Sequence, residues 1–61
     1  MCEAAAYLLQ NGEERLILES VDILESEGDE IRLVSLFGEE VRVKAKIKAL
    51  SLVDHKIILA P

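Results

Sequence analysis

Apolar and basic residues alternate along one segment of the chain, from Val41 to Lys48. Valine, alanine and isoleucine occupy its odd positions, and arginine or lysine occupies every even position. Successive side chains of a β-strand point to opposite faces, so this period of two predicts a strand with one apolar face and one solvated basic face. A helix would distribute the same residues around its circumference. The pattern therefore predicts a β-strand over residues 41–48.

Shorter apolar runs separated by turn residues predict the remaining strands. These strands are expected at Ala4–Gln10, Arg15–Glu19, Ile31–Leu36, Leu50–Val53 and Lys56–Ala60. A further run, Val21–Leu24, either continues the second strand past a bulge or begins a strand of its own. In the run from Ile31, alternation places Leu33 and Ser35 on the same face as Ile31.

Polar and glycine-containing segments between these runs predict the turns. Asn11-Gly12 is typical of a two-residue β-hairpin turn, and further turns are expected at residues 25–29, 37–40 and 54–55. Phe37 is expected to plug one end of the fold, with Gly38 in a positive-φ conformation at the turn. The sequence thus predicts an all-β fold, a small five- to six-stranded antiparallel barrel or rolled sheet that forms one domain over residues 1–61.

Composition narrows the functional classes. The chain has 61 residues, of which 51% are hydrophobic and 31% charged, which is typical of neither a disordered tail nor a membrane span. A net charge of −5 and only two aromatic residues argue against a nucleic-acid-binding module. One cysteine, with no secretory signal pattern, is consistent with the cytoplasm. One histidine and no glycine-rich phosphate loop argue against an enzyme.

The predicted terminal strands carry apolar residues on both faces, and a small barrel has only one interior. Tyr7 and Leu9 lie on one face of the first strand, and Leu8 lies on the other. Burial of each such leucine stabilises by about 1.5–3 kcal/mol, so we expect a homodimer built on the terminal strands. The alternative is that scattered exposed aliphatic side chains need no partner.

Cys2 is the candidate metal ligand. A lone cysteine is commonly a small buried hydrophobic residue, but a thiol near the chain terminus lies beside amine and amide nitrogens that can close chelate rings. Two nitrogen and two sulfur donors in a plane suit Ni(II) or Cu(II). Two copies of Cys2, one from each subunit of a dimer, would supply the two thiolates.

The sequence resembles the small nickel-binding CooT family. The matching features are Met1-Cys2, the acidic stretch from Asp22 to Gly28, the segment from Ile31 to Glu40 with its Leu36-Phe37 turn, and the closing aliphatic strand. By that resemblance the fold would be a Sm/SH3-like small barrel and the assembly a homodimer. Cys2 of each subunit would bind one Ni(II) per dimer, in a metallochaperone-like role in maturation of carbon monoxide dehydrogenase. Here Met1 precedes Cys2, so the cysteine nitrogen is an amide unless Met1 is removed.

Two other features admit alternative functions. His55 lies in a predicted turn, where solvation is the simpler interpretation and a weak surface metal site the alternative. The basic residues Arg42, Lys44, Lys46 and Lys48 could follow an RNA backbone. They also suit a solvated strand that protects a sheet edge, with Glu13, Glu14, Glu39 and Glu40 as partners. A third possibility is an interaction domain whose apolar strand faces recognise another protein.

Overall fold

The computed structural model describes residues 4–61, which form a single six-stranded sheet. The strands are β1 (Ala4–Gln10), β2 (Glu13–Glu27), β3 (Glu30–Ser35), β4 (Glu40–Val43), β5 (Lys46–Ser51) and β6 (Lys56–Ala60). Their order across the sheet is β4-β3-β2-β1-β6-β5. The all-β prediction is confirmed, and β1 and β6 have the predicted bounds. The part of the chain described here contains no helix long and apolar enough to cross a membrane.

The hairpin between β1 and β2 forms at the predicted turn. Asn11 and Gly12 both have positive φ, 53° and 79°, which is the requirement of the turn that matches the twist of two antiparallel strands. The register then pairs Gln10 with Glu13 and Leu8 with Arg15. The local sequence therefore determined this hairpin.

Strand β2 is a single long strand that bends in the middle. Ser20 adopts a φ of 55°, and the pairing of β2 with both neighbours shifts register close to this position. A bulge of this kind bends a strand and increases its twist. Of the two alternatives for Val21–Leu24, the structure confirms continuation past a bulge.

Strands β1 and β6 pair in parallel, with Ala6 opposite Ile57 and Leu8 opposite Leu59. The sheet is therefore mixed, and the prediction of a wholly antiparallel sheet is wrong at this pair. Parallel neighbours cannot be joined by a hairpin and need a long connection. Here the chain segment between β1 and β6 includes the other four strands, so no local turn signal indicated the pairing.

The prediction of one continuous strand over residues 41–48 is also wrong. The alternating segment forms two strands, β4 and β5, which lie at opposite edges of the sheet and are separated by Lys44 and Ala45. Strand β5 then runs to Ser51, and the predicted strand residues Leu52 and Val53 lie in a turn. Alternation predicts which side chains share a face. Because a bend between two strands can preserve the alternation, the pattern does not distinguish one long strand from two short ones.

The two-residue connection between β4 and β5 requires a rolled sheet. In a flat sheet of six strands the edges would lie about 24 Å apart, at about 4.8 Å per strand. The chain from Val43 to Lys46 spans at most about 11 Å. The sheet therefore curls until its edge strands approach each other at this corner, although β4 and β5 do not pair within residues 4–61. The rolled-sheet alternative is confirmed, while the barrel is not closed.

The core lies inside the roll. Its buried members come from four strands, β1, β2, β3 and β6, and from the β4–β5 corner: Ala6, Leu18, Val21, Ile31, Leu33, Ala45, Ile57 and Leu59. Leu33 and Leu59 are completely buried, and Val41 and Val43 pack against the cluster from β4. The predicted inward face of β3 is confirmed, because Ile31, Leu33 and Ser35 are its three buried residues.

Candidate metal centre and the surrounding surface

Cys2, the predicted nickel ligand, lies outside the described residues, and the structure fixes only where the chain leading from it enters the sheet. Ala4 begins β1 opposite Val21 of β2. The amide of Ala5 donates a hydrogen bond of 2.9 Å to the carbonyl oxygen of His55. Among residues 4–61, no three side chains of the types that commonly bind metals form a cluster able to hold an ion.

His55 lies in the turn before β6, as predicted. Its side chain is exposed and its φ is 54°, a left-handed conformation that histidine adopts more readily than most non-glycine residues. Its carbonyl oxygen receives the Ala5 amide, so the histidine lies beside the start of β1. No local pattern indicated this proximity, because the two segments are about fifty residues apart and meet only through the parallel β1–β6 pairing.

An apolar cavity of about 320 Å³ opens beside the start of β1. Ala4, Leu50, Leu52, His55 and Ile57 contribute to its lining. The side chains of Leu50 and Leu52 are exposed, the latter by 84%, and the neighbouring Val53 is exposed by 88%. We refer to Leu50, Leu52 and Val53 as the apolar rim. The chain that carries Cys2 therefore enters the sheet next to an uncovered apolar surface.

The exposed apolar rim does not lie on the terminal strands, on which the dimer contact was predicted. Strands β1 and β6 occupy central positions in the sheet and pair on both sides, so they have no free edges. None of the large exposed apolar side chains among residues 4–61 belongs to either strand. On the outer face Ile58 is buried, while Tyr7 is half-buried and Lys56 Nζ lies 4.9 Å from the centre of its ring. The terminal strands therefore largely cover one another.

The predicted basic strand face is not formed. Arg42 lies on β4, whereas Lys46 and Lys48 lie on β5 at the opposite edge of the sheet, with Lys44 in the corner between them. Within residues 4–61 none of these three lysines forms an ion pair, and two of their predicted glutamate partners, Glu14 and Glu40, bind other cations. The continuous cationic strand on which the RNA-binding alternative depended is therefore divided between two edges.

The glutamates bind arginines across β2, β3 and β4 instead. Glu40 accepts hydrogen bonds from Arg42 Nε at 3.1 Å and from Arg32 Nε at 3.0 Å. These bonds, that of Arg42 first, lower the pKa of Glu40 below its usual value. Arg32 and Arg42 also reach Glu25 and Glu27 of β2. Each of these exposed ion pairs contributes little by itself. Together, the four pairs link β4 to β3 and β2.

Lys56 has a separate partner on the outer face. Its ammonium group lies 2.9 Å from Glu14 of β2. The hydrogen bond to Glu14, followed by the coulombic attraction of the same carboxylate, raises the pKa of Lys56. Glu14 was expected to pair with the basic strand, so this pairing is a correction: strand β6, not β4 or β5, brings a lysine to the β1–β2 hairpin.

Phe37 lies on the surface and does not close one end of the fold. Its side chain is 81% exposed, so the expectation of a buried ring is wrong. Gly38 has the predicted positive φ, 87°. The turn is centred on Ser35, which is buried and whose Oγ accepts hydrogen bonds from the amides of Phe37 and Glu39, each at 3.1 Å. Ser35 fills the inward position that a larger apolar residue would take, and this turn directs the phenylalanine outwards.

The sequence pattern did not predict the role of Ser35. Alternation predicted the face on which Ser35 lies, but not that its hydroxyl would organise the turn. The available signal was a serine followed within four residues by a glycine, at the end of an apolar strand. Serine hydroxyls in such positions accept nearby backbone amides.

Residues 4–61 form a small, open six-stranded sheet that leaves apolar surface uncovered beside the start of β1, an arrangement that suits a small binding protein. Comparison with known proteins identifies the family. The sequence profile described as "CO dehydrogenase accessory protein CooT" matches residues 1–60. The chain therefore belongs to the CooT family. CooT is an accessory protein for carbon monoxide dehydrogenase and not itself an enzyme.

One solved structure agrees with this assignment, and a further relative is similar to nearly the whole chain. The crystal structure of a protein described as a CooT from Carboxydothermus hydrogenoformans is 44% identical, with a TM-score of 0.89, and the match covers 97% of this chain and 95% of that chain. An uncharacterized protein from Methanocaldococcus jannaschii is 36% identical over 59 residues, covering 97% of this chain and 96% of that protein. The all-β fold and the accessory role predicted by resemblance are thus confirmed at the level of the family.

Proposed function

We propose that this protein is a cytoplasmic nickel-binding accessory protein in the maturation of carbon monoxide dehydrogenase. Two copies form a homodimer, and Cys2 of each subunit binds a single shared Ni(II). The ion is cargo: the protein captures it and passes it on, without covalent catalysis. Membership of the CooT family, whose members are accessory proteins of this enzyme, is the observation that carries the proposal.

The position of the start of β1 supports a shared site. Cys2 precedes Ala4 by two residues, so its Cα lies within about 8 Å of that of Ala4. Ala4 borders the apolar cavity beside Leu50 and Leu52. A second copy that covers the apolar rim would therefore bring its own amino-terminal segment towards the first. Two thiolates with nitrogen donors from the same segments would then suit the planar geometry that Ni(II) favours.

Charge and pH also bear on the proposal. The net charge of −5 raises the local concentration of divalent cations around the protein. A metal-binding thiol must lose its proton before it binds, so nickel affinity should fall as the pH drops below neutral. A lone reduced cysteine is also consistent with the cytoplasm.

The test is titration of the protein with Ni(II) under reducing conditions. We expect thiolate-to-nickel charge-transfer absorption that saturates at one nickel per two chains and is absent in Cys2→Ser. His55→Ala is the matched control, because it removes an imidazole that lies beside the start of β1 and should leave the absorption unchanged. Unaltered binding by Cys2→Ser, or saturation at one nickel per chain, would contradict the proposal.

A further inference from the structure

The turn between β3 and β4 presents two apolar side chains to solvent at a fixed position. Leu36 is 46% exposed and Phe37 is exposed almost completely. Most proteins bury a phenylalanine, and exposed aromatic side chains are enriched where another protein binds. The Ala4–Val21–Ser35 row of strand partners places this turn about 10 Å, two strand spacings, from the start of β1.

Hydrogen bonds within the protein hold this turn in one conformation before any partner binds. The amide of Ser35 donates to the carbonyl of Glu39, that of Leu36 to the carbonyl of Ser20, and that of Gly38 to the carbonyl of Ser35, at 2.8–3.0 Å. The amides of Phe37 and Glu39 donate to Ser35 Oγ. Every backbone amide from Ser35 to Glu39 therefore has an acceptor. An anchor held in this way loses little conformational entropy on binding.

The surroundings of the turn carry negative charge. Glu19, Glu39 and Glu40 line an open depression beside it, together with the exposed Leu16. Glu40 is neutralised by Arg32 and Arg42, whereas Glu19 and Glu39 form no ion pair within residues 4–61. A second copy of this chain that docked here face to face would bring these carboxylates against each other. Charge complementarity instead favours a cationic partner surface.

We infer that Phe37 is the anchor of a second interface, which inserts into an apolar pocket bordered by lysine or arginine on the protein that receives the metal. The inference rests on the proposed accessory function, since it takes carbon monoxide dehydrogenase as that protein. The interface is distinct from the apolar rim: one surface assembles the dimer, and the other positions the loaded site against its recipient.

Purified nickel-free carbon monoxide dehydrogenase is the probe, and its binding to the immobilised protein is measured. Phe37→Ala should weaken binding on the order of ten- to hundredfold, the effect of burying one large apolar side chain. Phe37→Trp should retain binding, and Glu39→Lys should weaken it. Ile47→Ala is the matched control, because it removes an exposed apolar side chain from the other edge of the sheet, and it should bind as the parent protein does.

Nickel titration and light scattering separate this inference from the proposed function. Phe37→Ala should keep the nickel stoichiometry and the dimer of the parent protein. If Cys2→Ser abolishes nickel binding while Phe37→Ala binds the enzyme normally, the interface is wrong and the proposed function stands. Failure of the parent protein to bind the enzyme, or loss of the dimer in Phe37→Ala, would also overturn the interface.

Discussion

At the scale of single residues, Ser35 determines the conformation of the turn between β3 and β4. It is 3% exposed and lies in the inward row of β3, where a valine would add apolar contact. Its hydroxyl instead holds the amides of Phe37 and Glu39. A buried donor or acceptor that loses its partner retains the full cost of its desolvation. The serine therefore stabilises the one conformation of the turn that directs Phe37 outwards.

Ser35→Ala should lower the free energy of unfolding by about 1–3 kcal/mol, because two amides lose their acceptor. Ser51→Ala is the control: Ser51 Oγ accepts a single amide, that of Asp54, at an exposed position, and its loss should cost less than about 1 kcal/mol. Urea unfolding monitored by circular dichroism measures both. If both substitutions lower the free energy of unfolding equally and only slightly, the remaining hydrogen bonds of the turn are sufficient without the Ser35 hydroxyl.

At the scale of elements, the corner between β4 and β5 determines the shape of the sheet. Ala45 is part of the buried core although it belongs to neither strand. The residues on either side of it, Lys44 and Lys46, are exposed. The small side chain lets the chain pass directly from one edge of the sheet to the other while it remains packed on the interior.

Ala45→Leu should destabilise the protein by about 1–3 kcal/mol, because the extra carbons have no space in a packed interior. Ala49→Leu introduces the same side chain at an exposed position of β5 and should change stability by no more than about 0.5 kcal/mol. Denaturant midpoints of the two variants test the difference. If Ala45→Leu is as stable as Ala49→Leu, the corner is looser than its burial indicates.

At the scale of the whole molecule, the roll leaves apolar surface uncovered at the end where β1 begins. A chain of 61 residues buries only about 60% of the surface that its unfolded state exposes. The apolar rim is accordingly the surface that we assign to the proposed second copy. A covered rim would stabilise both copies and would shield the proposed nickel site.

The double substitution Leu50→Ser and Leu52→Ser should convert the proposed dimer to a monomer, because it removes the proposed apolar contact without touching the buried core. Leu16→Ser is the control, since Leu16 is also exposed but lies on the outer face of β2, opposite Tyr7. Light scattering during size exclusion gives the mass of each. A dimer that survives the double substitution would place the contact elsewhere.

Much of the secondary structure could be predicted from the sequence. The bounds of β1 and β6, the Asn11-Gly12 turn and the inward row of β3 all match the structure. Each depends on residues within a few positions of one another, through side-chain alternation or the φ preference of a turn. The candidate ligand Cys2 was also a prediction from sequence, and it remains one, since it lies outside the described residues.

The sequence by itself determined where most strands form and which family the chain belongs to, because local pattern and family motifs are carried by neighbouring residues. Only the tertiary structure decided the parallel pairing of β1 with β6, the division of the alternating segment at Ala45 and the exposure of Phe37. The first two depend on segments that are distant along the chain and meet only when the sheet rolls, and the third depends on a turn built around the buried Ser35 hydroxyl. Alternation describes the two faces of a strand, whereas the neighbours of that strand depend on the packing of the whole molecule.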